Sequence, residues 1–273
     1  HNSNGHKKSA CITASIAPHA PYSTGPVILE RVARYATDNP DVRIQMHLAE
    51  MKSEMEWCAK QYSCRPVELA DKSGILQKGA IMAHCLEVNP NEIALMAERG
   101  VGIAHNARSN AKAGRGIAPV EAMRKAGLSV GLATDGPMSG NTLDIFSQMA
   151  PASMFAKIRG GSRGCLPAKD VVKMATIEGA AVLGMVDKVG SLEADKCADL
   201  IRINLDAPRL FPIYDIYAAL VFSAEASDVR DVMVNGAWIL KNCKTLTLER
   251  SKVMAEAAQT ASEFKAKISQ IDA

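Results

Sequence analysis

Short apolar runs and longer amphipathic stretches alternate along the first two-thirds of the chain. The runs are ACITASIA (10–17), VRIQM (42–46), GAIMA (79–83), GVGIA (100–104) and LSVGLA (128–133). Each has the length of a strand and little polar alternation, the pattern of a strand covered on both faces in a parallel sheet. The stretches between them read as helices. Ile28, Val32 and Tyr35 fall on one face after STGP, whose Pro26 suits a first helical turn. NPNEIALMAERG opens on Asn-Pro and closes on Gly100, a helix start and a helix stop. The predicted order is β-α-β-α-β-α-β-α-β with right-handed crossovers and a parallel sheet. Two α/β architectures satisfy it, an open doubly wound sheet and a (βα)8 TIM barrel.

The pattern changes near residue 190. KCADLIRINLD and VRDVMVNGAWILKN read as strands, with Asn235-Gly236 as a hairpin turn. The last stretch, about 249 to 271, is helical: Met254, Ala257, Ala261, Phe264 and Ile268 repeat at 3-4-3-4 spacing, a face expected to pack on the chain's own body. The expected domains are 1–190, carrying the main α/β unit, 191–248, a small β portion, and 249–273, a C-terminal helix.

Composition narrows the function classes. The 273 residues are 48% hydrophobic, enough for a large core, and no run of 18 apolar residues marks a membrane span. HNSNGHKKSA at the start lacks the apolar centre of a signal peptide, so a cytoplasmic location is expected. The net charge of +3, the absence of a basic block and an aromatic content of 4% disfavour nucleic acid. The seven cysteines are odd in number and form no CxxC, which points to a reducing compartment and free, mostly buried thiols. No glycine-rich phosphate loop follows a predicted strand.

The histidines are concentrated where ligands bind. Of six, four follow predicted strands: His19, His47, His84 and His105; Asp135 follows VGLAT in the same way. In both candidate architectures the C-terminal strand ends face the ligand. Imidazoles with one carboxylate are the ligand set of a catalytic zinc or iron that keeps a position for water. Glu50, three residues past His47, stands where a carboxylate can shuttle protons for such a water without binding the metal.

PHAPYS, MHLAE, AHC, HNARSN and ATDG occur in that order at these strand ends. Together they resemble the amidohydrolase superfamily, in its branch of S-adenosylhomocysteine/5-methylthioadenosine deaminases and triazine chlorohydrolases. GIAPV, TDGPMSGNTLDIF, MATIEGAAVLG, VGSLEADKCADLI and DVMVNG strengthen the likeness, which covers essentially the whole chain. The resemblance implies a metal-dependent TIM barrel with a small β-sandwich built from both chain ends. It implies His47 and Asp135 as ligands of one Zn2+ or Fe2+, with Asp135 also orienting the attacking hydroxide. Glu50 would be the proton shuttle and His84 would sit against the hydroxide. His19, Glu50, His105 and Asn110 would border the substrate, a small molecule. The implied reaction is hydrolytic deamination of an adenosine-like or related N-heterocycle; the alternatives are a triazine-type chlorohydrolase and an inactive fragment that serves as an oligomer or interaction module.

Two departures accompany the likeness. The family's His-x-His pair after the first barrel strand has no counterpart, since His1 and His6 are five apart and precede the predicted fourth strand. The chain therefore reads as the C-terminal part of such an enzyme, without barrel strands one to three, and is expected to form a homo-oligomer or to pair with a complementary N-terminal segment. In addition, Asn106-Ala107 stands where the family usually has Cys-Pro.

Overall fold

A computed structural model of the chain describes residues 12–271. Five parallel strands form one sheet: β1 (Ser15–Ile16), β2 (Arg43–Leu48), β3 (Ile81–His84), β4 (Gly102–His105) and β5 (Ser129–Leu132). They lie in sequence order, β1-β2-β3-β4-β5. That order separates the two architectures. A doubly wound sheet reverses direction at a switch point, whereas here every crossover steps the same way, as in a barrel wall.

The register places the same levels side by side. Met46, Met82, Ile103 and Val130 are aligned across four strands and are essentially inaccessible. On the opposite pleat His47 is level with Ala83, Ala104 and Gly131. Small side chains there leave room, and helix Ile177–Val182 packs against β4 and β5. A Cβ on Gly131 would stand 3.0 Å from the Gly179 Cα, so this approach requires glycine.

Helix Pro26–Asp38 starts on Pro26 as expected, but its buried face is Leu29, Val32, Ala33 and Ala36. Ile28 and Tyr35 are 44% and 51% exposed. The apolar stripe is rotated from the one that the large residues predict, because alanines allow the helix to lie close to its neighbours. Helix Pro90–Glu98 carries a full capping box, with Asn89 Oδ1 accepting from Glu92 N and Glu92 Oε2 from Asn89 N.

By contact density one unit comprises the residues up to Ser191 with Pro212–Ala226, and a second comprises Leu192–Phe211 with Ser227 onward. The segment 212–226, expected in the small β portion, thus belongs with the first unit: Asp215 caps helix Ile216–Phe222, which buries Val221 and packs on helices Phe146–Gly160 and Ala168–Ala175. The second unit holds one antiparallel sheet, β6 (Leu200–Ile203), β7 (Val229–Val234), β8 (Ala237–Lys241) and β9 (Lys244–Thr245), in that order. Among the described residues it has no second sheet to make a sandwich. Asn235 and Gly236 turn β7 into β8 with φ of 48° and 76°, the double left-handed hairpin turn that Asn-Gly favours. Asp231 on β7 is fully buried and accepts from both Arg202 and the Asn242 N–H.

The C-terminal helix, Arg250–Ile271, forms where the periodicity predicts. Its apolar residues are solvent-exposed: Met254, Phe264 and Ile268 are 60%, 65% and 43% exposed. The 3-4 spacing dictates the helix and its stripe but carries no information about a partner. The described cysteines are all free; Cys58, Cys64 and Cys85 are buried, Cys165 and Cys197 half-buried, and Cys243 exposed. No helix among the described residues is long and apolar enough to cross a membrane.

Candidate active site

His47, His84 and Asp135 converge at the C-terminal ends of β2, β3 and β5. One ligand atom from each lies within 4.8 Å of the others, and this is the only His/Cys/Asp/Glu group of its kind among the described residues. The pleat is broken there. Ala49, His84, Cys85 and Asp135 all have positive φ, at 51°, 71°, 48° and 63°. None is glycine, and such strain persists where the surroundings over-determine it.

Hydrogen bonds fix each member of the group. The His19 carbonyl lies 2.7 Å from His47 Nδ1 and also accepts the His47 N–H at 3.1 Å. An oxygen acceptor on Nδ1 sets that tautomer and leaves Nε2 free to coordinate. His84 repeats the arrangement, with Nδ1 2.7 Å from Asn110 Oδ1. Asp135 Oδ2 accepts from Ser109 Oγ at 2.6 Å and Oδ1 from Gly136 N at 2.8 Å. Lys112, on the same helix as Ser109, holds the turn after Asp135 through the Ser139 carbonyl at 2.7 Å and through Asn141 Oδ1. The two imidazole rings stack with centroids 5.4 Å apart.

The electrostatics favour a neutral His84 and an ionised Asp135, the forms that bind metal. Burial lowers the His84 pKa, outweighing the Asn110 hydrogen bond and the charge of Asp135 that raise it. Burial acts to raise the Asp135 pKa, but the Ser109 hydroxyl, the Gly136 N–H and the two histidines outweigh it and leave the pKa lowered.

Glu50 is nearly inaccessible, with Oε1 3.4 Å from His84 Nε2 and in close contact with the Arg115 guanidinium. Arg115 comes from the exposed loop after helix Ala107–Lys112, between glycines at φ of 65° and 122°. The His19 ring is exposed, bonded to Ser23 Oγ at 2.6 Å, with its centroid 5.0 Å from that of His47.

The structure does not bring His105 into this group. It stands two positions after Ile103 on β4, sharing that residue's pleat; its Nδ1 is buried without a partner, and burial pushes its pKa down to about 4. Asn110 is also buried; its oxygen is committed to His84, while Nδ2 is unpartnered. His1 and His6 lie outside the described residues.

Sequence reasoning missed Ser109, Lys112, Arg115 and Glu54. Ser109 sits inside HNARSN and Glu54 one turn beyond Glu50, but nothing local tells which strand end each would meet. The Glu54 carboxylate is buried and accepts from Ala49 N at 3.2 Å and Glu50 N at 2.8 Å. Burial raises its pKa to about 7, against the backbone hydrogen bonds at Ala49 and Met51 and the nearby His47 that lower it. A carboxyl with a raised folded-state pKa stabilises the fold at low pH, and that stability is lost as pH rises through the folded pKa. Wild-type protein should therefore lose stability, about 3 kcal/mol from this group, as pH goes from 4.5 to above 7. Glu54→Gln should flatten that part of the profile; urea midpoints across this pH range provide the check.

The model of the amidohydrolase family matches residues 4–239. The chain belongs to the amidohydrolase family. A curated amidohydrolase relative named 5-methylthioadenosine/S-adenosylhomocysteine deaminase, from Desulforudis audaxviator, is 38% identical over 250 residues, 92% of this chain and 58% of its own length. Another of that name, from Moorella thermoacetica, is 39% identical over 245 residues, 90% of this chain and 57% of its own. Among solved structures, an adenosine deaminase from Xanthomonas campestris with bound zinc superposes with a TM-score of 0.89 at 32% identity, over 92% of this chain and 57% of that one. An atrazine chlorohydrolase from Arthrobacter aurescens, complexed with zinc, gives 0.84 at 25% identity, over 89% and 54%. The chain thus spans less than three-fifths of the length of these relatives. Its relatives are deaminases and hydrolases, and its own His-His-Asp group is one that could hold a metal ion.

Proposed function

We propose that this amidohydrolase chain carries the proton-transfer half of a zinc-dependent hydrolytic deaminase acting on an adenosine-like nucleoside. The observation that carries the proposal is the convergence of His47, His84 and Asp135, with Glu50 3.4 Å from His84 Nε2. The residues present fit a zinc ion. Both imidazoles offer Nε2 because their Nδ1 atoms face acceptors, and the carboxylate is held by a hydroxyl and an amide, the outer-shell pattern of a metal site. His47 and Asp135 would hold the ion. His84 has a donor atom within reach of the same centre, either to bind the ion or to face the attacking oxygen.

When bound, zinc supplies Lewis acidity and brings the pKa of a water near neutrality. The chain supplies the rest. Glu50 takes the water's proton as general base and returns it to the departing amine as general acid. Asp135 and His84 orient the oxygen, and Asn110 keeps His84 in the tautomer that allows this. The exposed His19 ring borders the substrate. The names of the curated relatives support S-adenosylhomocysteine and 5-methylthioadenosine as substrates to try first.

The test is zinc content and ammonia release on purified protein given adenosine, 5-methylthioadenosine and S-adenosylhomocysteine. Zinc-dependent ammonia release from any of them upholds the proposal. Chloride release from a chlorotriazine without ammonia from a nucleoside would move the assignment to the chlorohydrolase alternative. Stoichiometric zinc with neither product would overturn both.

A further inference from the structure

We infer that Glu54 is a positioning residue: its buried carboxylate clamps two consecutive amides of the turn after β2 and thereby aims Glu50 into the metal pocket. The inference rests on the reading of Glu50 as proton shuttle. Its basis is the way the turn is held. Ala49 is fully buried with φ of 51°, a conformation that strains a non-glycine residue. Something must hold it there. From one side, the amides of Leu86 and Glu87, just past β3, both donate to the Ala49 carbonyl at 2.9 Å. From the other, Glu54 Oε1 takes the Ala49 N–H and Oε2 takes the Glu50 N–H. The peptide units on both sides of Ala49 are thus fixed, and with them the direction in which the Glu50 side chain leaves the backbone.

Among the described residues no other acceptor serves those two amides. Without Glu54 they would be buried donors lacking partners, a costly state. In its ionised form the Glu54 carboxyl is matched to the task, since it then has acceptor capacity on both oxygens and brings no donor to oppose an N–H. Glutamine offers one oxygen and turns an NH2 group on the second amide. Glu54 also lies in the first turn of helix Lys52–Tyr62, so its own position is set by a rigid element that starts directly after the turn it clamps. A buried carboxyl that weakens the fold at neutral pH is a poor choice for stability alone, and an aiming role explains its presence at this spot.

The experiment compares wild type and Glu54→Gln in three readouts. The first is amide hydrogen exchange of residues 46–52. The second is Co2+ binding, followed by its absorbance. The third is the steady-state kinetics of ammonia release. We expect the Ala49 and Glu50 amides to exchange at least about tenfold faster in the variant, because their opening no longer breaks a buried hydrogen bond. Co2+ stoichiometry should be unchanged. The kcat should fall about 10- to 100-fold with KM within twofold, as misplacement of a reacting group predicts. A merely structural carboxyl would lower metal occupancy and kcat together. Unchanged exchange at the two amides overturns the clamp, and faster exchange with unchanged kcat overturns the aiming role. If wild type releases no ammonia, the functional reading fails by itself and the aiming role falls with it, while exchange still decides the clamp. Should Glu54→Gln not fold, Glu54→Asp keeps the charge but is too short to reach both amides, and the same comparison is made there.

Discussion

Asp135→Asn abolishes metal binding and turnover together while leaving the fold intact. The substitution is unusually clean. Asp135 sits at φ of 63°, and asparagine is among the non-glycine residues that best tolerate this region. The Gly136 N–H keeps an amide oxygen to donate to, and the Ser109 hydroxyl, which then meets the NH2 group, can turn to accept from it. What disappears is the negative charge and one coordinating oxygen. Loss of an outer-shell partner alone weakens metal affinity up to about 100-fold, so loss of the carboxylate proposed as a ligand should exceed that. Zinc per chain after gel filtration should drop from stoichiometric to near background, with a melting temperature matching that of metal-free wild type. Retained zinc would remove Asp135 from the ligand set.

Glu50→Gln separates chemistry from binding. Glutamine keeps the shape but cannot accept the water's proton, so kcat should fall about 10²- to 10⁴-fold, the usual contribution of a positioned acid–base group. Zinc content should be unaffected. The pairing with Arg115 also loses its charge, so the glycine-flanked loop around that residue should become easier to cleave with trypsin. Loss of zinc in this variant would assign Glu50 to the ligands and leave the shuttle role without a residue.

Much of the site was legible in the sequence because parallel strands deliver their ends to one rim. An apolar run followed by histidine or aspartate is enough to place His47, His84 and Asp135 near one another. The break in the pleat was not legible. Ala49, His84 and Cys85 adopt left-handed conformations with no glycine to announce them, since tertiary hydrogen bonds rather than local propensity impose the turn. For the same reason Glu54 reads as an ordinary helix-start carboxylate. The five parallel strands were legible in the residue pattern, but the strand order that makes them a barrel wall came only with the family resemblance; the buried face of helix Pro26–Asp38 was not legible, because Ala33 and Ala36 face inward where Ile28 and Tyr35 are the larger apolar residues. The stripe on helix Arg250–Ile271 shows the limit from the other side: the period is legible in the sequence, but whether the stripe is buried is not.

The His19 carbonyl takes both the main-chain and the side-chain proton of His47. It follows a strand of two residues that, among the described residues, pairs only with Arg43 and Ile44. Docking of that strand and orientation of the His47 ring, the proposed metal ligand, are therefore one event seen from two places. Whatever presses β1 onto its neighbour sharpens the centre, and by reciprocity an ion arriving at the centre acts as a rivet on the edge of the sheet.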